Sequence, residues 1–220
     1  MSTPLSQMPK PDASQYEGDR KLFLVPNFMG PPNLPDEGQS LLENYWSDVR
    51  DSIGTLERKL GKVSRVYHEL IYDSGDPGIE MLEHINPKGS SFIKTLCQSD
   101  AKLEALEDKS MLDENMDWQN CLSIGLFSEK VRTTARDGFK ETSEGRSTHN
   151  VEQIDKTLGQ NESGVLFIRE NHGLQFPQDI RIFYVAPRAL DSLKRWIDDQ
   201  SSAHRQPSSE NTTQGDETTE

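Results

Sequence analysis

Arg169-Glu170-Asn171-His172 is the densest run of chemistry-bearing side chains in the chain, and it follows directly on the apolar stretch Val165-Leu166-Phe167-Ile168. A base or ligand (His172), an anion clamp (Arg169) and a hydrogen-bonding amide (Asn171) would leave a buried strand together. The same residues also suit a plain polar turn, because Asn171-His172-Gly173 favours left-handed backbone geometry. A second candidate is Glu69, in Val63–Tyr72 (VSRVYHELIY). Its neighbours on its own strand face are Tyr67 and Ile71, so its carboxylate needs a partner or open water. The adjacent His68 points to the opposite face of a straight strand, so His68 and Glu69 cannot serve one metal together. His68 reads as a core histidine bonded to the backbone. Arg146 and His149, about one helical turn apart, could approach the region of Glu69, or could simply start a surface helix.

These residues matter only if the fold gathers them. In open α/β sheets, ligands lie beyond the carboxyl ends of the strands. Leu22-Phe23-Leu24-Val25 and Val165-Leu166-Phe167-Ile168 are unbroken apolar runs bounded by Pro26 and Gly164, the pattern of strands buried on both faces. If they lie side by side and parallel at the centre of one sheet, Asn27, Glu69, Arg169, Glu170, Asn171, His172 and Arg188 emerge at a common rim.

Other elements follow from periodicity. Leu41, Leu42, Tyr45, Trp46, Val49, Ile53, Leu56 and Leu60 recur at helical spacing, and Gly61 is a stop. Val63–Tyr72 alternates as a strand, making residues 22–72 a βαβ unit with parallel strands. Asp76 and Pro77 start a short helix that Pro87 ends. Residues 90–160 read as helical, with a dense patch at Met111, Met116 and Trp118 and a break expected near Gly145. Ile180–Val185 supplies a further strand and Pro187 begins the last helix. The expected architecture is α/β: a small, mostly parallel sheet of about four strands with a largely helical middle section. Residues 21–200 form one domain with a helical insert over about 88–160. Polar, proline- and serine-rich segments 1–20 and 201–220 read as mobile tails.

Composition narrows the partners. Hydrophobic residues make up 32% and the net charge is −13. Such a field repels phosphate backbones and anionic lipid, so neither nucleic acid nor membrane is expected as a partner. The basic residues Lys130, Arg132, Arg136 and Lys140 alternate with Glu129, Asp137 and Glu141, which reads as an ion-paired, solvated face. Cys97 and Cys121 read as free thiols in a reducing compartment, and the first twenty residues lack the layout of a signal peptide, so a soluble, cytoplasmic protein is expected. No GxxxxGK, GxGxxG or GxSxG motif occurs, so no cofactor is assigned, and no metal set is read.

One combination of segments carries a family resemblance. VPNFMG after the first strand, YHELIY with its glutamate, the arginine-led RSTHNVEQIDKTL and the strand ending VLFIRENHG are together similar to the TraB/erythromycin-esterase-like group, over roughly residues 22–186. The resemblance implies a hydrolase with Gly-x-x-His after the first strand, a strand-end Glu and a later Gly-x-x-His. Glu69 and His172 match that pattern. Pro26 to Gly30 contains no histidine, and Arg169 stands where the second motif has glycine. Two functions therefore stand as expectations. The first is binding of a protein or small-molecule ligand without catalysis, at an apolar groove lined by Met111, Met116 and Trp118. The second is hydrolysis, with or without an assisting metal, by Glu69 and His172, with Asn27, Arg146, Arg169 and Asn171 binding the substrate.

Overall fold

Seven consecutive buried residues, Arg20–Pro26, form the strand β1 near the middle of the sheet. The computed structural model describes residues 13–31 and 33–203. Within them the order is a 3-10 turn (Ala13–Tyr16), β1, α1 (Asp36–Leu60), β2 (Val63–His68), α2 (Gly75–Ile85), α3 (Pro87–Gln98), β3 (Lys102–Leu103), α4 (Lys109–Ser123), α5 (Glu129–Thr157), β4 (Ser163–Ile168), β5 (Ile180–Tyr184) and α6 (Leu190–Ala203). The sheet is five-stranded, in the order β3-β2-β4-β1-β5, and every neighbouring pair is parallel.

The two apolar runs lie side by side as expected, with Phe23 opposite Val165 and Val25 opposite Phe167. Alternation then sorts their side chains. Phe23, Val25, Val165 and Phe167 join the core beneath α1, α2, α3 and α6, while Leu22, Leu24, Leu166 and Ile168 face Ile154 of α5 and Leu158, which caps that helix. Gly164 allows that second face to close: a Cβ there would stand 3.2 Å from atoms of Leu22, Tyr67 and Leu158. β1 and β2 are parallel as expected for a βαβ unit, but β4 lies between them.

Several elements depart from the sequence expectation for identifiable reasons. The fifth strand, β3, is only two residues long, too short to show a period. β2 stops at His68 instead of Tyr72 because Leu70 takes a left-handed conformation (φ 72°), which throws Ile71 onto the same core face as Val66. α5 runs unbroken past Gly145, held there by the tertiary bonds of Arg146. Pro87 ends one helix and also opens the next, and the last helix starts three residues beyond Pro187. Residues 13–20, assigned by composition to a tail, hold the 3-10 turn and the start of β1. The buried Arg20 donates there to Asp179 (2.8 and 3.0 Å) and Asp155 (2.7 Å). Of the tails expected over residues 1–20 and 201–220, residues 1–12 and 204–220 lie outside the described residues. Among the described residues, no helix is long and apolar enough to cross a membrane.

Candidate functional site

The strand ends do converge, and they do so through hydrogen bonds. After β1, the Asn27 amide nitrogen donates to Glu69 Oε1 (3.0 Å), and its Oδ1 accepts from Asn86 Nδ2 (3.0 Å). Asn86 caps α3, its Oδ1 accepting from the Gly89 amide at 3.0 Å. Its Nδ2 also donates to His68 Nε2 at 3.3 Å. The other ring nitrogen, Nδ1, lies 2.5 Å from the Glu69 carbonyl and donates to it. His68 is therefore a neutral, fully partnered core histidine, and burial pulls its pKa down to about 4. Glu69 Oε2 stands 3.5 Å from Arg169 Nε. Burial is the main influence on Glu69 and pushes its pKa up, opposed by the bonds from Asn27 and Arg169.

One residue further along, Leu70 donates its amide to Glu107 Oε1 (3.4 Å). Glu107 receives a two-pronged ion pair from Arg146, at 3.0 Å from Nε and 2.6 Å from Nη2. Arg146 Nη1 donates to Asn115 Oδ1 at 2.7 Å. Side-chain exposure is 7% for Arg146 and 0% for Glu107, so this is an interior pair with its donors engaged.

His172 is half-buried beyond β4, its Nδ1 accepting from the Leu174 amide at 3.0 Å. Burial, and then the charge of Arg169, lower its pKa. Glu170 bonds Tyr184 (2.9 Å) and Lys194 (3.0 Å), and Asn171 is exposed. Asn27, Glu69 and Arg169 are thus brought into direct contact. His172 is coupled to them through the charge of Arg169, whereas Arg146 is linked to the neighbouring Leu70 by way of Glu107.

Comparison with family models, curated proteins and solved structures yields no match. Function must therefore be read from the chain's own geometry. Among the described residues, no group of three metal-binding side chains comes together.

A second kind of surface starts at Leu70. Between α2 and α4 lies a groove of about 590 Å³, floored by Leu70, Met81, Ile85, Leu112 and Met116 and rimmed by Asp73, Glu80 and Asp113. Met116 remains 49% exposed there. Of the expected groove-lining trio, only Met116 takes part. Trp118 lies against α5, where a Cβ on Gly138 would meet its ring at 2.4 Å, and Met111 turns toward Gly145. A separate apolar hollow of about 490 Å³ lies between the loop after β1 and α6, around Phe28, Leu34, Leu193 and Trp196, with no charged residue in its lining.

Sequence reading missed Asn86, Glu107 and Asn115. Asn86 carried a usable signal, since Asn-Pro-x-Gly is a helix start with a side-chain cap. Glu107 and Asn115 carried none, because their partners lie 39 and 31 residues away.

Proposed function

We propose that this protein binds a ligand with an apolar body in the groove between α2 and α4, without transforming it. The supporting observation is the contrast in availability. The groove is concave, open and apolar, beyond the carboxyl end of β2, where α/β sheets carry ligands. By comparison, Glu69 has a 7% exposed side chain and is already bonded by Asn27 and Arg169. Titration of isotopically labelled protein with 1-octanol tests the proposal. Amide shifts should centre on Leu70, Met81 and Met116 and disappear in Met116→Glu. Shifts scattered elsewhere, or surviving that substitution, would refute it.

Hydrolysis by Glu69 and His172 is the second reading. It is favoured by Arg169, which pairs with Glu69 and acts electrostatically on His172, and by the resemblance to the TraB/erythromycin-esterase-like group. The raised pKa of Glu69 would suit a carboxyl that holds a proton for transfer. Turnover of a p-nitrophenyl ester, lost in both Glu69→Gln and His172→Ala with folding intact, would put this reading first.

A further inference from the structure

The rim of the groove between α2 and α4 already holds a cation. Lys109 Nζ lies 5.3 Å from the centroid of the Tyr72 ring and 2.5 Å from Asp113 Oδ2. Tyr72 and Asp113 both line the groove, as do the carboxylates of Asp73 and Glu80. Among the groups lining it, only His84 could oppose them, and its Nδ1 is turned to the Glu80 carbonyl at 2.7 Å. An aromatic face with carboxylates beside it attracts an ammonium, and more strongly as water is excluded. The charge of the whole chain, −13, adds long-range attraction for cations. The floor beneath offers methionine and leucine side chains, soft surfaces that accept varied apolar shapes.

We infer that the ligand is an organic ammonium with an apolar body, its cationic head on the face of Tyr72 beside Asp73 and Asp113 and its apolar part along Met81, Leu112 and Met116. The inference rests on the binding reading above and adds the ligand's charge. Lys109, whose side chain is 58% exposed, acts as a placeholder that the ligand's head displaces. A groove of about 590 Å³ has the size of a small-molecule site, so the ligand is a free alkylamine and not a lysine on a partner helix.

Calorimetry on the full chain with n-octylammonium, 1-octanol and octanoate separates the possibilities. The ammonium should bind about tenfold more tightly than octanol, with octanoate weakest. Tyr72→Leu should weaken octylammonium about fivefold and leave octanol unchanged, while Lys109→Ala should tighten octylammonium by about fivefold. A merely structural Lys109 would leave the affinity unmoved, which counts against the inference. Equal affinity for ammonium and alcohol, both lost in Met116→Glu, overturns the charge preference and leaves the binding reading standing. No binding by any of the three removes both. A Leu/Lys helical peptide that displaces n-octylammonium at a concentration below that ligand's own Kd overturns the small-molecule assignment. Octylammonium that binds and is not displaced by that peptide supports it.

Discussion

Glu69 and Leu70 are neighbours in the chain and belong to opposite kinds of surface. Glu69 closes inward, joining the ends of β1, β2 and β4 through Asn27 and Arg169. Leu70, turned over by its positive φ, faces outward and lines the groove between α2 and α4. Polar side chains at a strand end can be the working parts of a site or the fastenings of a fold. Here the difference is visible in their partners. Those around Glu69, His68 and Arg146 already hold hydrogen bonds within the chain, so a ligand would have to replace existing bonds. The groove's side chains hold few such bonds, and a ligand there displaces mainly water from apolar surface.

The sharpest way to break this contrast is to open the fastened side. Arg146→Ala leaves the carboxylate of Glu107 buried without its cation, a change that costs about 3–5 kcal/mol. Urea unfolding should show that loss. The double variant Arg146→Met with Glu107→Leu should recover most of it, since neither charge is then stranded. A single substitution costing under about 1 kcal/mol would show that water reaches the pair, and the contrast would fail.

Acid titration gives the next largest effect. His68 has a folded-state pKa of about 4, below its ordinary value of 6.5. The unfolded chain therefore binds more protons between those values, and stability falls as pH drops through that window. The full loss is about 3 kcal/mol. Glu69 acts in the opposite direction: its raised pKa favours the protonated folded form, so acidification relieves part of the cost. Denaturant midpoints measured from pH 7 to pH 4 should decline. A flat profile would mean that His68 is open to solvent.

What the sequence revealed and what it withheld divide along the same line. Leu22–Val25 and Val165–Ile168 were legible because an unbroken apolar run can lie only where both faces are covered. From that pairing, the meeting of Asn27, Glu69 and Arg169 followed by the rule of strand ends. The turn at Leu70 was not legible. VSRVYHELIY contains no glycine or proline, and the left-handed residue sits among tertiary bonds, from the Leu70 amide to Glu107 and from the Leu106 and Glu107 amides to the Ile71 carbonyl, that local propensity does not encode. Arg146 was recognisable as a charge near the site, but the carboxylate that pairs with it could not be named. The groove itself depends on α2 and α4 meeting across Leu70, which no short window contains.

On the open side, Leu70→Gly separates stability from binding. Glycine adopts positive φ without the penalty of about 1 kcal/mol that a side chain incurs there, while the lost leucine removes part of the groove floor. Thermal unfolding should stay level or rise slightly, and octanol binding should weaken about threefold. A loss of more than about 1 kcal/mol in stability would mean that Leu70 is part of the core and that the groove is shallower than described.

The smallest effect is the most telling for Glu69. In Glu69→Gln the amide oxygen can still accept from Asn27, while the attraction of Arg169 disappears. Arg169 is 58% exposed, so that attraction is screened and contributes little. A folded pKa above the ordinary one adds stability below the unfolded pKa and loses it as pH rises through the folded value. Glu69→Gln should therefore match the native chain near pH 4 and equal or exceed it in stability at pH 7. A variant clearly less stable at pH 7 would show that the fold depends on the ionised carboxylate itself. Native-like stability combined with loss of ester turnover would instead move Glu69 from fastening to chemistry.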